Sequence, residues 1–406
     1  MNDQIRKVFR LIGNLQHYAW GGYSFLPELL HIENPGHDPF AEYWLGAHGK
    51  ASARIETDNG TENLRDQIFA AKEKILGVSV STHFGHLPYL LKILDVRDML
   101  SIQVHPSKSA AEAEYERENR LGIPIDAPHR NYKDDNHKPE LMVALGDFWL
   151  LHGFKPKDHL RSILNDRRAF RFLLPAFGEG DYLKLFKTFM QLDQSSVNNT
   201  LEPLLEEIIP LYMAGRLDKN KEDFWAARAA LAFNEPGRID RGIFCIYLLN
   251  LVHLEKGQAV YQDAGLLHAY LEGQNVEIMA NSDNVLRGGL TSKHVDVQAL
   301  LKHIRFDATV PSIFDGKKKN RNEIVFTTPA KDFELSCIEL TKSDKQEFQA
   351  NSIEIFFVIE GAAGVEEKYR ESIHLERGEA FVAFDRATFD LSTDNYAKVF
   401  HAVVPR

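Results

Sequence analysis

Four side chains able to hold a metal lie in three short stretches: Gln103 and His105 in SIQVHPS, Glu140 in DDNHKPELM, and His268 in GLLHAYLEG. Together they offer two imidazole nitrogens, an amide oxygen and one carboxylate. A set with so little negative charge suits a divalent metal kept reactive rather than merely structural.

Residues two apart on a strand share a face. In SIQVH this puts Ile102 and Val104 on one side and Ser101, Gln103 and His105 on the other. A polar stripe on a β-branched strand must find partners, because buried polar groups left without hydrogen bonds are costly. Lys138 and Glu140 repeat the pattern around Pro139, which biases Lys138 toward extended backbone, and LMVAL continues as a strand. In GLLHAYLEG, His268 and Tyr270 oppose Leu267, Ala269 and Leu271. The same stretch runs on through Glu277, Asp283, Asn284 and Arg287. Alternation in VEIMA places Glu277 on a polar face, where loop solvation does not account for it. Glu277 and Arg287 are therefore read as functional, with Lys138 beside them. Singly, Gln103 would be a structural contact, Glu140 half of a salt bridge, and any one of the 17 histidines a surface or core residue. Their conjunction makes the site.

The elements that must position these residues follow from the pattern. Up to about Leu151, short runs such as AEYWLGAHGKASARI, LPYLLKILDV, LMVAL and FWLLHGF are separated by turns and read as antiparallel strands. One helix interrupts them, with Ser109 and Glu112 as a capping-box signature and Gly122 as its end. From Lys155 to about Pro236 the apolar spacing becomes helical. Strands return over Ile243 to Glu255 and beyond, DGKKKNRNE (315–323) reads as an exposed linker, and a compact all-β segment follows. The glycines form neither a P-loop nor a GxGxxG turn. The expected division is 1–154 with 238–314 as one discontinuous domain, 155–237 as a helical domain, and 315–406 as a carboxy-terminal β domain.

At 406 residues with 44% apolar and 26% charged side chains, the chain is an ordinary globular protein of two or three domains. Its formal net charge of -10 argues against nucleic acid as a partner, so an anionic ligand would need a local basic pocket. Cys245 and Cys337 each lie in an apolar run and read as buried free thiols of a reducing compartment. No run is long enough to span a bilayer, which makes cytoplasmic the default expectation.

The stretches that carry the candidate ligands, with LQHYAWGG and LPYLLKILDVRDM before them and NSDNVLRGGLTSKHVDV after them, resemble the type I, zinc-dependent phosphomannose isomerases over nearly the whole length. The resemblance implies a mainly β fold of two cupin (jelly-roll) domains with an α-helical domain inserted in the first. It implies one zinc ion per chain on Gln103, His105, Glu140 and His268, and places the family's active-site Lys, Glu and Arg on Lys138, Glu277 and Arg287. The reaction implied interconverts mannose 6-phosphate and fructose 6-phosphate by metal-assisted proton transfer through an enediol(ate). Glu277 is the leading acid/base, and Ser101, Lys138 and Arg287 are expected to bind the phosphorylated sugar. A monomer without nucleic-acid or membrane partners is expected. Two other classes share parts of the pattern: a non-haem iron or nickel oxygenase, which oxygen uptake would reveal, and a non-catalytic sugar-responsive or storage cupin, which would be expected to have lost the ligands.

Overall fold

Antiparallel strands dominate, as the alternation predicts, in a computed structural model that describes residues 6–405; the first five residues of the 1–154 segment and Arg406 lie outside the described residues. Two sheet systems, of 11 and 12 strands, carry the chain. The 11-stranded system has the long strand His268–Ala280 as its spine, flanked by Tyr89–Val96 and Glu140–Ala144. A bulge between Tyr270 and Glu272 bends its first part onto Phe148–Phe154, and His268 itself faces Gln103. Directly opposed residues of antiparallel strands share a face. The register therefore puts Trp44, Lys92, Glu277 and Met142 in one row and Glu140 and Met279 in the next.

The 12-stranded system is built mostly from residues beyond 315, with Glu354–Glu367 pairing to Tyr396–Val403 and Ala380–Ala383. It also takes in early chain. Val8–Ile12 pairs with Ala380–Ala383, from Val8 opposite Ala383 to Leu11 opposite Ala380, and leads on to Arg54–Thr57 and Gly60–Asn63. Residues 8–154 are thus shared between both sheets. The sheets meet in one buried cluster in which Leu11, Phe357 and Val382 pack with Leu91, Ile93, Val276 and Ile278. The last four alternate with the inward row of the first sheet, so its outer face is apolar because a second sheet covers it.

Helices Lys157–Asp166, Tyr182–Met190, Gln194–Met213 and Glu222–Phe233 fill the segment of helical spacing. Asp181 and Asp193 cap two of them, accepting from the backbone N–H of Lys184 (2.8 Å) and Ser196 (2.7 Å). Phe186, Phe189, Leu201 and Trp225 then bury against Leu151, Phe154 and Leu249 of the site-bearing sheet.

Three local expectations are corrected. Gly242–Leu248 is a helix and the strand begins only at Leu249; all seven residues of that helix are buried, and a wholly apolar run has no periodicity to separate helix from strand. The helix Lys108–Arg120 is capped by Ser107, whose hydroxyl accepts from Ala110 N at 3.4 Å, rather than by Ser109. Within the charged 315–323 segment, Lys317–Lys318 pairs with Glu323–Phe326, and Glu323 is buried against Ser336. Cys245 and Cys337 are free and buried. Among the described residues, no helix is long and apolar enough to cross a membrane.

Candidate metal centre

The three charged or imidazole candidates all sit at strand ends: His105 follows Ile102–Val104, Glu140 opens Glu140–Ala144, and His268 opens His268–Ala280. The Nε2 atoms of His105 and His268 each lie 3.3 Å from a different oxygen of the Glu140 carboxylate. One ligand atom from each of the three falls within 4.8 Å of the others. Gln103 stands between them in register, opposite both His268 and Arg287.

The imidazoles are oriented by backbone. His105 Nδ1 is 2.8 Å from the carbonyl of Asn284, and His268 Nδ1 is 2.9 Å from that of Leu266. A carbonyl only accepts, so Nδ1 carries the proton in both rings and Nε2 presents a lone pair. Both Nε2 atoms are buried without a hydrogen-bond partner. Buried acceptors of that kind are costly unless something binds them, and two imidazole nitrogens converging on a carboxylate fit a divalent cation. Burial, reinforced by Lys138 against the pull of Glu140, lowers the His105 pKa to about 4, so the ring is neutral and ready to ligate. Burial alone would raise the Glu140 pKa, but Lys138 and His105 hold it well below the usual carboxylate range. The Lys138 ammonium lies 3.1 Å from Glu140 Oε1.

Glu277 is buried in the same sheet system. Lys92 Nζ donates to its Oε2 at 3.0 Å and the Tyr270 hydroxyl to its Oε1 at 2.8 Å, while Gln262 donates to that hydroxyl at 3.1 Å. Burial raises the Glu277 carboxyl pKa, with the Lys92 charge working against it. Burial would discharge Lys92, but Glu277 and Glu42 more than offset this and hold it protonated. Glu42, 3.6 Å from Lys92 Nζ, also accepts from the Trp44 indole. Sequence reasoning missed Lys92 and Glu42. The available signal was one lysine on the strand face that Leu90 and Leu94 share; its partner is 185 residues away.

The loop before Glu140 is clamped to the loop before Arg287. Asn284 accepts from the backbone N–H of Lys133 (2.7 Å) and donates to the carbonyls of Asp134 and Asn136 (both 2.8 Å). Asp134 in turn accepts from Asp283 N and the Ser282 hydroxyl, both at 2.7 Å. At one edge, Lys50 pairs with Asp283 at 2.9 Å and His48 lies 3.6 Å from it; burial lowers the His48 pKa to about 4.

Arg287 is half-buried and has no hydrogen-bond or ion-pair partner among the described residues; burial lowers its pKa. Burial, then the charges of Arg287 and Lys50, also lower that of Lys293. The charges of Lys50 and Lys138 both act on His48 and Asp283, so a chain of net charge -10 gathers Lys50, Lys138, Arg287 and Lys293 in one neighbourhood, a field for an anion. Ser101, half-buried, immediately precedes the strand that carries Gln103.

Residues 8–157 match the family profile described as phosphomannose isomerase type I, catalytic domain. The chain is 36% identical over 400 residues to the mannose-6-phosphate isomerase of Salmonella typhimurium (strain LT2), covering 97% of this chain and 99% of that protein. To that of Escherichia coli K12 it is 38% identical over 379 residues, 92% and 94% of the two chains. A crystal structure of mannose 6-phosphate isomerase from Salmonella typhimurium, bound to its substrate fructose 6-phosphate and to zinc, has a TM-score of 0.86 at 32% identity, covering 99% of this chain and 100% of that one.

Proposed function

The chain belongs to the type I mannose-6-phosphate isomerases, and from that premise we propose how its own residues divide the work. It is a mainly β enzyme of the cupin fold that interconverts mannose 6-phosphate and fructose 6-phosphate, with zinc as its metal. His105, Glu140 and His268 would hold the ion, with Gln103 completing the set. When bound, zinc supplies positive charge beside the oxygens where enediolate charge develops.

Moving a proton between C2 and C1 requires a base within reach of a weakly acidic C–H. Glu277 takes that role. Its carboxylate is raised by burial toward the working range of an acid/base, and Tyr270 and Lys92 fix both oxygens while leaving lone pairs free. Arg287, unpartnered in its half-buried position, receives sugar or phosphate oxygens. Lys138, 3.1 Å from Glu140, keeps donors to spare for the sugar, and Ser101, just before the strand of Gln103, would add one more. The reading is carried by one observation: two buried imidazole nitrogens, partnerless among the described residues, converge on one carboxylate, in a register row that runs from His268 through Gln103 to Arg287.

The test joins a coupled assay for fructose 6-phosphate formation, with and without chelator, to metal analysis. Glu277→Gln should keep zinc and lose turnover by about 100-fold or more, whereas His268→Ala should lose metal and activity together. Normal turnover in Glu277→Gln would sink the base assignment.

A further inference from the structure

We propose that Asp240, in the turn that closes the helical insertion, is a positioning residue for Arg287, so that the insertion sets the affinity of the site for the sugar phosphate. This rests on the substrate-binding role given to Arg287 above.

Asp240 is buried and its carboxylate reaches across a seam. Oδ1 accepts from Gly242 N at 2.7 Å and from Leu290 N at 2.8 Å, and Oδ2 accepts from Thr291 N at 3.1 Å. Leu290 and Thr291 directly follow Leu286–Gly289, the short strand that carries Arg287. That strand is held along one edge by Ile102–Val104, with its register broken between Arg287 and Gly289. Leu290 then sits at φ 51°, a conformation unfavourable for a branched side chain that only outside contacts sustain. The backbones touch there as well: a Cβ on Gly289 would lie 2.4 Å from the Cα of Gly242.

On its buried side the seam is packed by Ile243, Phe244, Leu286 and Leu290. A cleft of about 430 Å³ runs along it, lined by Asp240, Arg241, Gly289 and Thr291 among others. The Asp240 hydrogen bonds and the close backbone approach of Gly242 to Gly289 together set the distance between the two segments. On its other side the turn is tied into two helices of the insertion. Asp240 N donates to Asn234 Oδ1 at 2.9 Å just past the helix Glu222–Phe233, and Asn198 on Gln194–Met213 accepts from Ile239 N at 3.0 Å. The path runs from helix to carboxylate to the end of the Arg287 strand. An arginine displaced by about 1 Å loses much of its effect on a bound oxyanion.

Asp223 supplies the comparison. It is another carboxylate of the insertion, bound by Arg167 at 2.7 Å and by the Tyr247 hydroxyl at 2.8 Å, both remote in sequence from the Arg287 strand. Asp240→Asn and Asp223→Asn are measured as full-length zinc-loaded enzymes for melting temperature, zinc content, fructose 6-phosphate binding by calorimetry, kcat and KM. Expected for Asp240→Asn is a binding constant weakened about tenfold or more, with KM rising in step and zinc content unchanged. Asp223→Asn should lose melting temperature with binding intact. Should Asp240→Asn not fold, Asp240→Ser keeps an acceptor for Gly242 N while losing the reach to Leu290 and Thr291. Unchanged binding in the Asp240 variant, or equal weakening in both Asp variants, overturns the proposal. Arg287→Gln, run alongside, separates the two readings: normal binding there removes the Arg287 assignment itself, while weak binding there with normal binding in Asp240→Asn removes only the anchor.

Discussion

Lys92 is a charge placed where burial alone would neutralise it, and two carboxylates keep it charged. Replacing it with methionine leaves Glu277 and Glu42 buried without their cation, which costs about 3–5 kcal/mol, measurable by urea unfolding. The same substitution removes the positive charge that opposes the rise of the Glu277 pKa. A base whose pKa climbs is protonated over more of the acid range, so the acidic limb of kcat against pH should move to higher pH. Zinc content should hold, because Lys92 pairs with Glu277 and Glu42 and lies outside the three-residue metal cluster. An unmoved limb would place the working proton on a group other than Glu277.

Among the elements, the strand Tyr396–Val403 of the other sheet system carries a second buried ionic group. His401 Nε2 lies 2.9 Å from Glu354 Oε2, its Nδ1 3.8 Å from Glu323 Oε1, and its ring stacks on Phe356 at 4.0 Å. Burial would lower the His401 pKa, but its bonds to Glu323 and Glu354 raise it on balance. A raised folded pKa contributes stability that is complete below the unfolded value of about 6.5 and is lost as pH rises through the folded one. Melting temperature should therefore fall as pH rises above about 6.5 and through the raised folded value, and His401→Gln should flatten that slope. Glu323→Gln should cost on the order of 3 kcal/mol. Neither His401 nor Glu323 announced this role in sequence, since a lone histidine in a strand and a glutamate closing a lysine-rich run look like surface chemistry. The polar stripe of SIQVH and the alternation around His268 were legible because side-chain direction on a strand is local. Lys92 and the Asp134–Asn284 clamp were not, because the contacts that define them reach more than a hundred residues along the chain, and Glu42 takes its role only from Lys92 on a neighbouring strand. Gly242–Leu248 was misread for a different reason: an all-buried run erases the polar marks that give a period.

At the scale of the molecule, one apolar cluster backs both sheets. Leu11 from the second sheet and Ile93, Val276 and Ile278 from behind the site belong to it together. Leu11→Ala should lower stability by about 2–5 kcal/mol, and because the cluster is shared, zinc release and tryptophan fluorescence should report a single denaturation midpoint in the parent and in the variant alike. Separate midpoints would show two independent cores. The strand Val8–Ile12 adds a condition in time. Its edge is met by Ala380–Ala383, and the Lys7 ammonium donates to the Asp385 carbonyl across 378 residues of chain. At ordinary elongation rates of about 5–20 residues per second, that partner leaves the ribosome about 20–75 s after the strand does. Until residues 380–383 emerge, the nascent chain therefore leaves one edge of an apolar strand unpaired and prone to aggregation.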